Sequence, residues 1–172
     1  MPEADILNIA AWGLRRRAKS ENLISNHLWD RVMGSNHEAL VGTWKLVSCF
    51  MEDVETKEQK PVWGEHPNGY IVLTSEGRWI VVQTAEGRKA PQTDEERAAA
   101  FRSMLAYSGK YRTEGNKIVI KVDIAADESW NGTEQVRYFR LEGDRLHIEA
   151  APQPYANFGG KVMRGILIWA RD

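Results

Sequence analysis

The fold of this chain is decided by the stretch Leu40-Val41-Gly42-Thr43-Trp44-Lys45-Leu46-Val47-Ser48. It places a glycine at the start of a strand and a tryptophan two residues later. The glycine lets the backbone bend close to a neighbour, and the indole is large enough to fill one end of a small barrel. Residues before this stretch have the pattern of helices, and residues after it have the pattern of strands and turns. We therefore expect the later strands to return to this one.

The first strand alternates with period two, and the tryptophan side is taken as inward. Under that assignment Trp44, Leu46, Ser48 and Phe50 face the interior, whereas Lys45, Val47 and Cys49 face outward. Cys49 is then a small packing residue rather than a nucleophile.

Length and charge limit the classes of function. A chain of 172 residues is ordinarily long enough to bury a core as one domain. The formal charge of -1 comes with no strongly basic block except Arg15-Arg16-Arg17, so we expect no nucleic-acid partner. One cysteine cannot form an internal disulfide, and no long apolar run indicates a membrane span or a secretory signal. These observations predict a cytoplasmic protein with no membrane partner.

The N-terminal segment, residues 4 to 33, has helical periodicity. Its apolar residues recur at helical spacing, Asp5 is placed to cap the first turn, and Gly34-Ser35-Asn36 ends the segment. We therefore expect a helical extension over residues 1 to 38 and a barrel domain over residues 39 to 172.

A hairpin follows over residues 70 to 84, with its turn at Glu76-Gly77. If Ser75 faces Arg78, one side of the hairpin carries Tyr70, Val72, Thr74, Trp79, Val81 and Gln83. The other carries Ile71, Leu73, Ile80 and Val82 and faces outward. Because this outer side is apolar, it needs a cover, either the N-terminal segment or a second subunit in a homodimer.

A helix is predicted from Thr93, between the third and fourth barrel strands. Thr93 and Glu96 have the spacing of a capping box, and Ala98, Phe101, Met104 and Leu105 supply an apolar stripe. Two placements are open, a lid over one barrel opening and packing on the barrel wall.

The remaining strands supply most of the predicted interior. Alternation turns Tyr107 and Tyr111 inward, and then Ile118, Ile120, Val122 and Ile124. In the next strand Gln135, Arg137 and Phe139 point inward, because Glu134 and Arg140 suit the solvent side. Leu146, Ile148 and Ala150 follow. In the closing strand, residues 161 to 171, alternation does not distinguish the two faces.

The ordered series of motifs resembles the lipocalin-like domain family of bacteria and fungi over residues 40 to 171. The resemblance is carried by Gly42-Thr43-Trp44, Gly69-Tyr70-Ile71-Val72-Leu73-Thr74, Glu76-Gly77-Arg78, Ala106-Tyr107-Ser108-Gly109-Lys110-Tyr111, Trp130-Asn131-Gly132-Thr133-Glu134-Gln135-Val136-Arg137, Gly143-Asp144-Arg145-Leu146 and Leu167-Ile168-Trp169. With the strand count, it implies a mainly β fold, an eight-stranded antiparallel barrel able to hold one small ligand.

The inward side chains predict an aromatic cup with a few polar groups, which is the usual composition of a small-molecule site. The candidate ligand-binding residues are Tyr70, Trp79, Tyr107, Tyr111, Gln135, Arg137 and Phe139. No inward acid is visible to neutralise Arg137, so an anionic or strongly polar ligand atom is expected beside it. The alternative is that Arg137 pairs with Asp123, Glu134 or Glu149 through a different register.

Catalytic motifs are mostly absent from the sequence. We find no nucleophile elbow, P-loop, dinucleotide fingerprint or His-Glu-x-x-His, and the four histidines are scattered, so we expect no metal and no cofactor. Two functions remain. The first is binding of a small hydrophobic or aromatic, anionic molecule. The second, found in some lipocalin-like proteins of biosynthetic pathways, is a cofactor-independent isomerase, cyclase or dehydratase. In this chain it would use Tyr107 or Tyr111 as proton donor and Arg137 to stabilise negative charge.

Overall fold

A computed structural model of the chain describes residues 37 to 155 and 158 to 172. The helical periodicity predicted for residues 4 to 33, and its end at Gly34-Ser35-Asn36, lie outside the described residues. After a helical turn at residues 37 to 40, the elements are β1 (Gly42–Asp53), β2 (Gln59–Pro61), β3 (Asn68–Leu73), β4 (Arg78–Thr84), α1 (Asp94–Arg102), β5 (Met104–Glu114), β6 (Lys117–Ala125), a 3-10 turn (Glu128–Trp130), β7 (Glu134–Glu142), β8 (Arg145–Ala150), β9 (Gln153–Pro154) and β10 (Val162–Arg171).

One antiparallel sheet closes on itself. Its order is β2-β1-β3-β4-β5-β6-β7-β8-β10-β9, and β1 also pairs with β10. The ring therefore has eight strands, while β2 and β9 are short additions beside β1 and β10. This confirms the predicted eight-stranded antiparallel barrel, in which closure removes the free strand edges. In the described part of the chain, no helix has the length and apolar character needed to cross a membrane.

Trp44 closes one end of the barrel and is completely buried, as predicted. Its indole Nε1 donates to the Leu40 carbonyl at 2.9 Å, and the Arg171 guanidinium lies 4.2 Å from the centre of its ring. Arg171 also donates to the carbonyls of Val41 and Ala39, at 3.0 and 2.7 Å. A Cβ at Gly42, where φ is +140°, would collide with that guanidinium. The glycine therefore makes room for the arginine that covers the tryptophan.

A bulge in β1 corrects the predicted placement of Cys49. Leu46 pairs with Trp169 but Ser48 pairs with Ile168, so Val47 is an extra residue in the strand. An extra residue reverses the alternation beyond it. Trp44 and Leu46 point inward as predicted, but after the bulge Cys49 and Met51 are buried in the interior. The assignment of Cys49 to the outward face was wrong.

The hairpin of β3 and β4 has a register different from the predicted one. Leu73 pairs with Trp79 and the Thr74 amide donates to the Arg78 carbonyl, which leaves a loop of three residues with Gly77 at φ +75°. Three-residue hairpin loops place such a residue at their end. Ile71 and Leu73 therefore share the interior with Trp79, Val81 and Gln83. Their predicted outward position was wrong, and so was the inward position of Tyr70.

The outer face of this hairpin is apolar and exposed. The exposed fractions are 43% for Tyr70, 41% for Ile80 and 47% for Val82. We call these three residues the outer apolar face.

A second irregularity lies in β6. Ile118, Ile120 and Val122 are buried as predicted, but the pairing with β5 shifts between Ser108 and Gly109, and Ile124 is 64% exposed. The predicted inward position of Ile124 was wrong because the register shift interrupts the alternation of β6 between Val122 and Ile124. In β10, the face that alternation left undecided is settled by burial, since Met163, Gly165 and Trp169 are buried.

Helix α1 begins at the predicted cap. Thr93 accepts from the Glu96 amide and the Glu96 carboxylate accepts from the Thr93 amide, which completes a capping box. The helix ends at Arg102, so Met104 and Leu105 belong to β5 instead. No residue of α1 is buried, and Phe101 is more than half exposed. The predicted apolar stripe is therefore not one face of a helix.

Candidate functional site

The barrel contains a cavity of about 250 Å³ that is partly open to solvent. Its wall is built mainly from inward residues of seven ring strands, all except β6, so the same strands that form the core also form the cavity. The wall is mostly apolar, and helix α1 contributes no residue to it. The lining residues are Cys49, Met51, Val62, Trp63, Ile71, Trp79, Val81, Gln83, Met104, Leu105, Tyr107, Trp130, Arg137, Ile148, Ala150, Tyr155, Gly165, Leu167 and Trp169.

The structure brings three of the seven candidate ligand-binding residues together in the cavity wall, namely Trp79, Tyr107 and Arg137. Gln135 does not line the cavity, but its side-chain amide oxygen accepts from Arg137 at 3.4 Å. Phe139 is buried in the core outside the cavity lining. Tyr70 lies on the outside of the barrel.

Tyr111 points inward but lies away from the cavity. Its hydroxyl donates to the Thr74 carbonyl at 3.2 Å, and its ring stacks on His37 with centroids 5.2 Å apart. Burial raises its pKa to about 12. Its position rules it out as a group that meets a ligand in this cavity.

Arg137 presents a guanidinium to the cavity with only neutral partners. Its Nη1 donates to the Val136 carbonyl at 2.9 Å, and both Nη atoms reach Gln135. The guanidinium also lies 5.9 Å from the centre of the Trp130 ring, within cation–π range. Within residues 37 to 155 and 158 to 172, no carboxylate forms an ion pair with it.

The three acids proposed as alternative partners are occupied elsewhere. The register places them beside other arginines on the barrel exterior: Asp123 pairs with Arg78, Glu134 with Arg112 at 3.0 Å, and Glu149 with Arg164 at 2.9 Å. The alternative that made Arg137 part of a salt bridge with one of these acids was therefore wrong.

Tyr107 lies at the centre of an aromatic group in the cavity wall. Its ring is 6.1 Å from that of Trp79 and 5.3 Å from that of Trp130, measured between centroids. Burial raises the pKa of Tyr107, while the charge of Arg137 and hydrogen bonding from Arg137 and Trp79 lower it less strongly. The hydroxyl is therefore protonated at neutral pH and able to donate.

Three polar atoms of the cavity residues are buried without a hydrogen-bond partner in the described part of the chain. They are the indole nitrogens of Trp79 and Trp169 and the amide oxygen of Gln83. The Trp79 nitrogen approaches the Tyr107 hydroxyl without reaching normal hydrogen-bond geometry. Buried polar groups are rarely left in this state, so these atoms point to a bound molecule or bound water.

Sequence reasoning missed Gln83 and Trp169. Gln83 was already on the same face as Trp79, and that alternation could have identified it. Trp169 lies in the strand whose faces alternation could not distinguish.

Cys49 contributes a neutral thiol to the wall. Burial raises its pKa to about 12, and a weaker hydrogen bond from Trp63 opposes that shift. The thiolate, which is the reactive form, is therefore scarce at neutral pH. Among the described residues, no group of three or more His, Cys, Asp or Glu side chains is arranged to hold a metal ion.

Comparison with known proteins gives two findings. The model of a lipocalin-like domain matches residues 41 to 172. A 4'-hydroxy-3'-methoxypropiophenone carrier protein of Aspergillus oryzae (strain ATCC 42149 / RIB 40) is 32% identical over 87 residues, which cover 46% of this chain and 77% of that relative. The closed eight-stranded barrel and its internal cavity agree with both matches. The chain belongs to the lipocalin-like domain family.

Proposed function

We propose that the barrel cavity binds a small aromatic molecule that carries an anionic or strongly polar oxygen. The volume of about 250 Å³ supports a ligand of this size. Sites for drug-sized ligands usually measure about 300–1,000 Å³, and an apolar cavity of about 150 Å³ accepts benzene. A single substituted ring falls between these limits.

The observation that carries the proposal is the guanidinium of Arg137. It faces an apolar cavity, its partners are neutral, and the nearby acids are paired with other arginines. Arg137 is partly buried, and a partly buried cation without a counter-charge loses hydration, a cost that a charge-assisted hydrogen bond to a ligand oxygen offsets. The aromatic rings of Trp79, Tyr107 and Trp130 supply the surface on which a flat ring can pack.

The name of the Aspergillus oryzae relative supports the same ligand class. That protein is described as the carrier of an aryl ketone with one ring, a hydroxyl and a methoxy group. A single ring bearing oxygen atoms matches both the volume of this cavity and its polar atoms. We therefore propose carriage or sequestration of an oxygenated one-ring aromatic compound.

Two measurements test this function. Mass spectrometry of the purified protein, first native and then denatured, should show a bound compound of low mass in the native state only. Titration with 4'-hydroxy-3'-methoxypropiophenone should quench the fluorescence of the tryptophans in the wall and saturate at one ligand per chain. A native mass equal to that of the chain, together with no quenching at millimolar ligand, would contradict the proposal.

A cofactor-independent isomerase, cyclase or dehydratase is the second candidate for the same cavity. The protonated Tyr107 hydroxyl beside the positive charge of Arg137 favours it, since the pair offers a proton donor and a stabiliser of negative charge. Tyr111 is no longer a candidate donor because it lies outside the cavity. Chromatography of the compound released from the protein separates the two functions. A carrier returns the compound unchanged, whereas an enzyme returns a rearranged or dehydrated one.

The outer apolar face supports a further proposal about assembly. We propose that Tyr70, Ile80 and Val82 are covered in solution, either by the N-terminal extension or by a second subunit in a homodimer. Light scattering of the full chain and of a chain lacking residues 1 to 36 tests this. If the shortened chain remains monomeric and soluble with an unchanged melting temperature, neither the N-terminal extension nor a second subunit covers this face.

A further inference from the structure

The polar atoms of the cavity that lack a partner include more hydrogen-bond donors than acceptors. Within the described ranges, the donors without a protein partner are the indole N–H groups of Trp79 and Trp169, and Arg137 has five N–H groups of which these ranges engage only some. The buried acceptor that these ranges leave without a partner is the amide oxygen of Gln83. A ligand complementary to this set must offer acceptor oxygens in excess and one donor.

Gln83 is a buried residue of the cavity wall. It is 4% exposed, and it lies on the inner face of β4, four residues from Trp79. At about 3.3 Å per residue of strand, their Cα atoms are about 13 Å apart, so the two side chains meet different parts of a ligand. Gly69 lies directly opposite Gln83, and a Cβ there would collide with the Gln83 Cβ and the Val82 carbonyl oxygen. The glycine therefore lets β3 and β4 approach closely beside Gln83.

On these grounds, and given the proposed binding of a one-ring aromatic molecule, we propose that the ligand is a hydroxylated aromatic carbonyl compound. Its hydroxyl group donates to the amide oxygen of Gln83, and its carbonyl oxygen accepts from the indole and guanidinium donors. Gln83 is then the residue that selects for the hydroxyl group. Removing the hydroxyl from the ligand leaves the buried amide oxygen unpaired, which is the situation in which polar sites discriminate most strongly.

Four probes of nearly equal size test the assignment. They are para-hydroxyacetophenone, which has both groups, acetophenone, which lacks the hydroxyl, para-ethylphenol, which lacks the carbonyl, and ethylbenzene, which lacks both. Their dissociation constants are measured by tryptophan fluorescence and calorimetry with the full-length protein. We expect loss of either group to weaken binding about tenfold, the effect of one buried hydrogen bond.

The variant Gln83→Met keeps the length of the side chain and removes the amide. In this variant acetophenone should bind as tightly as para-hydroxyacetophenone, whereas the preference for the carbonyl should persist. The matched control is Gln92→Met, the same change at an exposed position away from the cavity, which should keep both preferences.

The outcomes separate this inference from the proposed function. If the parent protein binds none of the four probes, the proposed binding function fails and the inference fails with it. If the parent binds all four with equal affinity, the function stands and the inference is overturned, because the buried polar atoms are then satisfied by water. A preference for the hydroxyl that survives in Gln83→Met would assign its recognition to another residue. Because the parent protein supplies the first two readouts, an unfolded variant does not prevent the test.

Discussion

Replacing Arg137 by Met should remove the main polar anchor of the ligand while leaving the barrel intact. The two side chains have similar length, so the apolar stem remains in the wall and only the guanidinium is lost. In the described part of the chain this guanidinium bonds to Gln135 and to the Val136 carbonyl and approaches the Tyr107 hydroxyl, which leaves N–H groups for a ligand. A hydrogen bond to a charged group contributes about 1.5–3 kcal/mol. Losing one such bond corresponds to about 10- to 150-fold weaker binding.

In contrast to the loss of affinity, Arg137→Met should not lower the stability of the protein without ligand. No carboxylate in the described ranges neutralises Arg137, and an unpaired cation that is partly buried costs free energy in the folded protein because it loses hydration. The Met variant without ligand should therefore melt at the same temperature as the parent or at a higher one. Arg112→Met is the matched control, since Arg112 is exposed and pairs with Glu114 and Glu134 outside the barrel.

Fluorescence titration with para-hydroxyacetophenone and thermal unfolding without ligand measure the two effects separately. Arg137→Met should lose affinity and keep stability, while Arg112→Met should keep affinity. If Arg137→Met binds the probe as tightly as the parent, the guanidinium does not contact the ligand. If it unfolds instead, Arg137 holds the barrel together and the argument from its missing counter-charge is refuted.

Three further predictions concern the barrel that holds the site. Trp44→Ala should lower the free energy of unfolding by about 3–5 kcal/mol in urea, because it removes a fully buried indole; a loss below about 1 kcal/mol would contradict the role of Trp44 in closing the barrel. Gly109→Ala should cost about 1–3 kcal/mol, since its Cβ would collide with the Lys121 carbonyl, and an unchanged melting temperature would refute this close approach. Because burial raises the Cys49 pKa from 9.0 to about 12, the folded state holds the thiol proton more tightly, and stability should fall as pH rises from about 9 to about 12. Cys49→Ala should lose stability less steeply over that range, and equal slopes would argue against a buried thiol.

The closed barrel could be predicted because its signals are local and repeated. Trp44 follows its glycine by two residues, and the strands after it alternate clearly enough to be counted. The face of Arg137 could also be predicted, since Glu134 and Arg140 at the ends of the same strand required solvent. In each of these cases the physical cause lies within a few residues of its effect.

The wrong predictions arise where the alternation of a strand is interrupted, or where the position of a side chain along the barrel axis decides its role. The extra residue at Val47 reversed the position of Cys49, and a three-residue loop in place of two reversed Tyr70. Neither interruption changes the composition of the strand, so period two alone cannot reveal it. Tyr111 shows the other limit. Alternation correctly turned it inward but carried no information on its position along the barrel axis, which places it beside Thr74 instead of in the cavity.

The bulge at Val47 also divides β1 into two halves, and the positions that face inward shift by one residue from the first half to the second. The half nearer Trp44 belongs to the closed end, while the half beyond the bulge contributes a thiol and a thioether, from Cys49 and Met51, to the ligand wall. Deleting Val47 would join the two halves in one regular strand and leave Leu46, Cys49 and Met51 facing inward, because the residue removed is the extra one. The bulge is thus what allows Leu46 and Cys49, three positions apart in the chain, to face the same interior. The side chains that this strand gives to the ligand wall are fixed by the position of one extra residue and not by strict alternation.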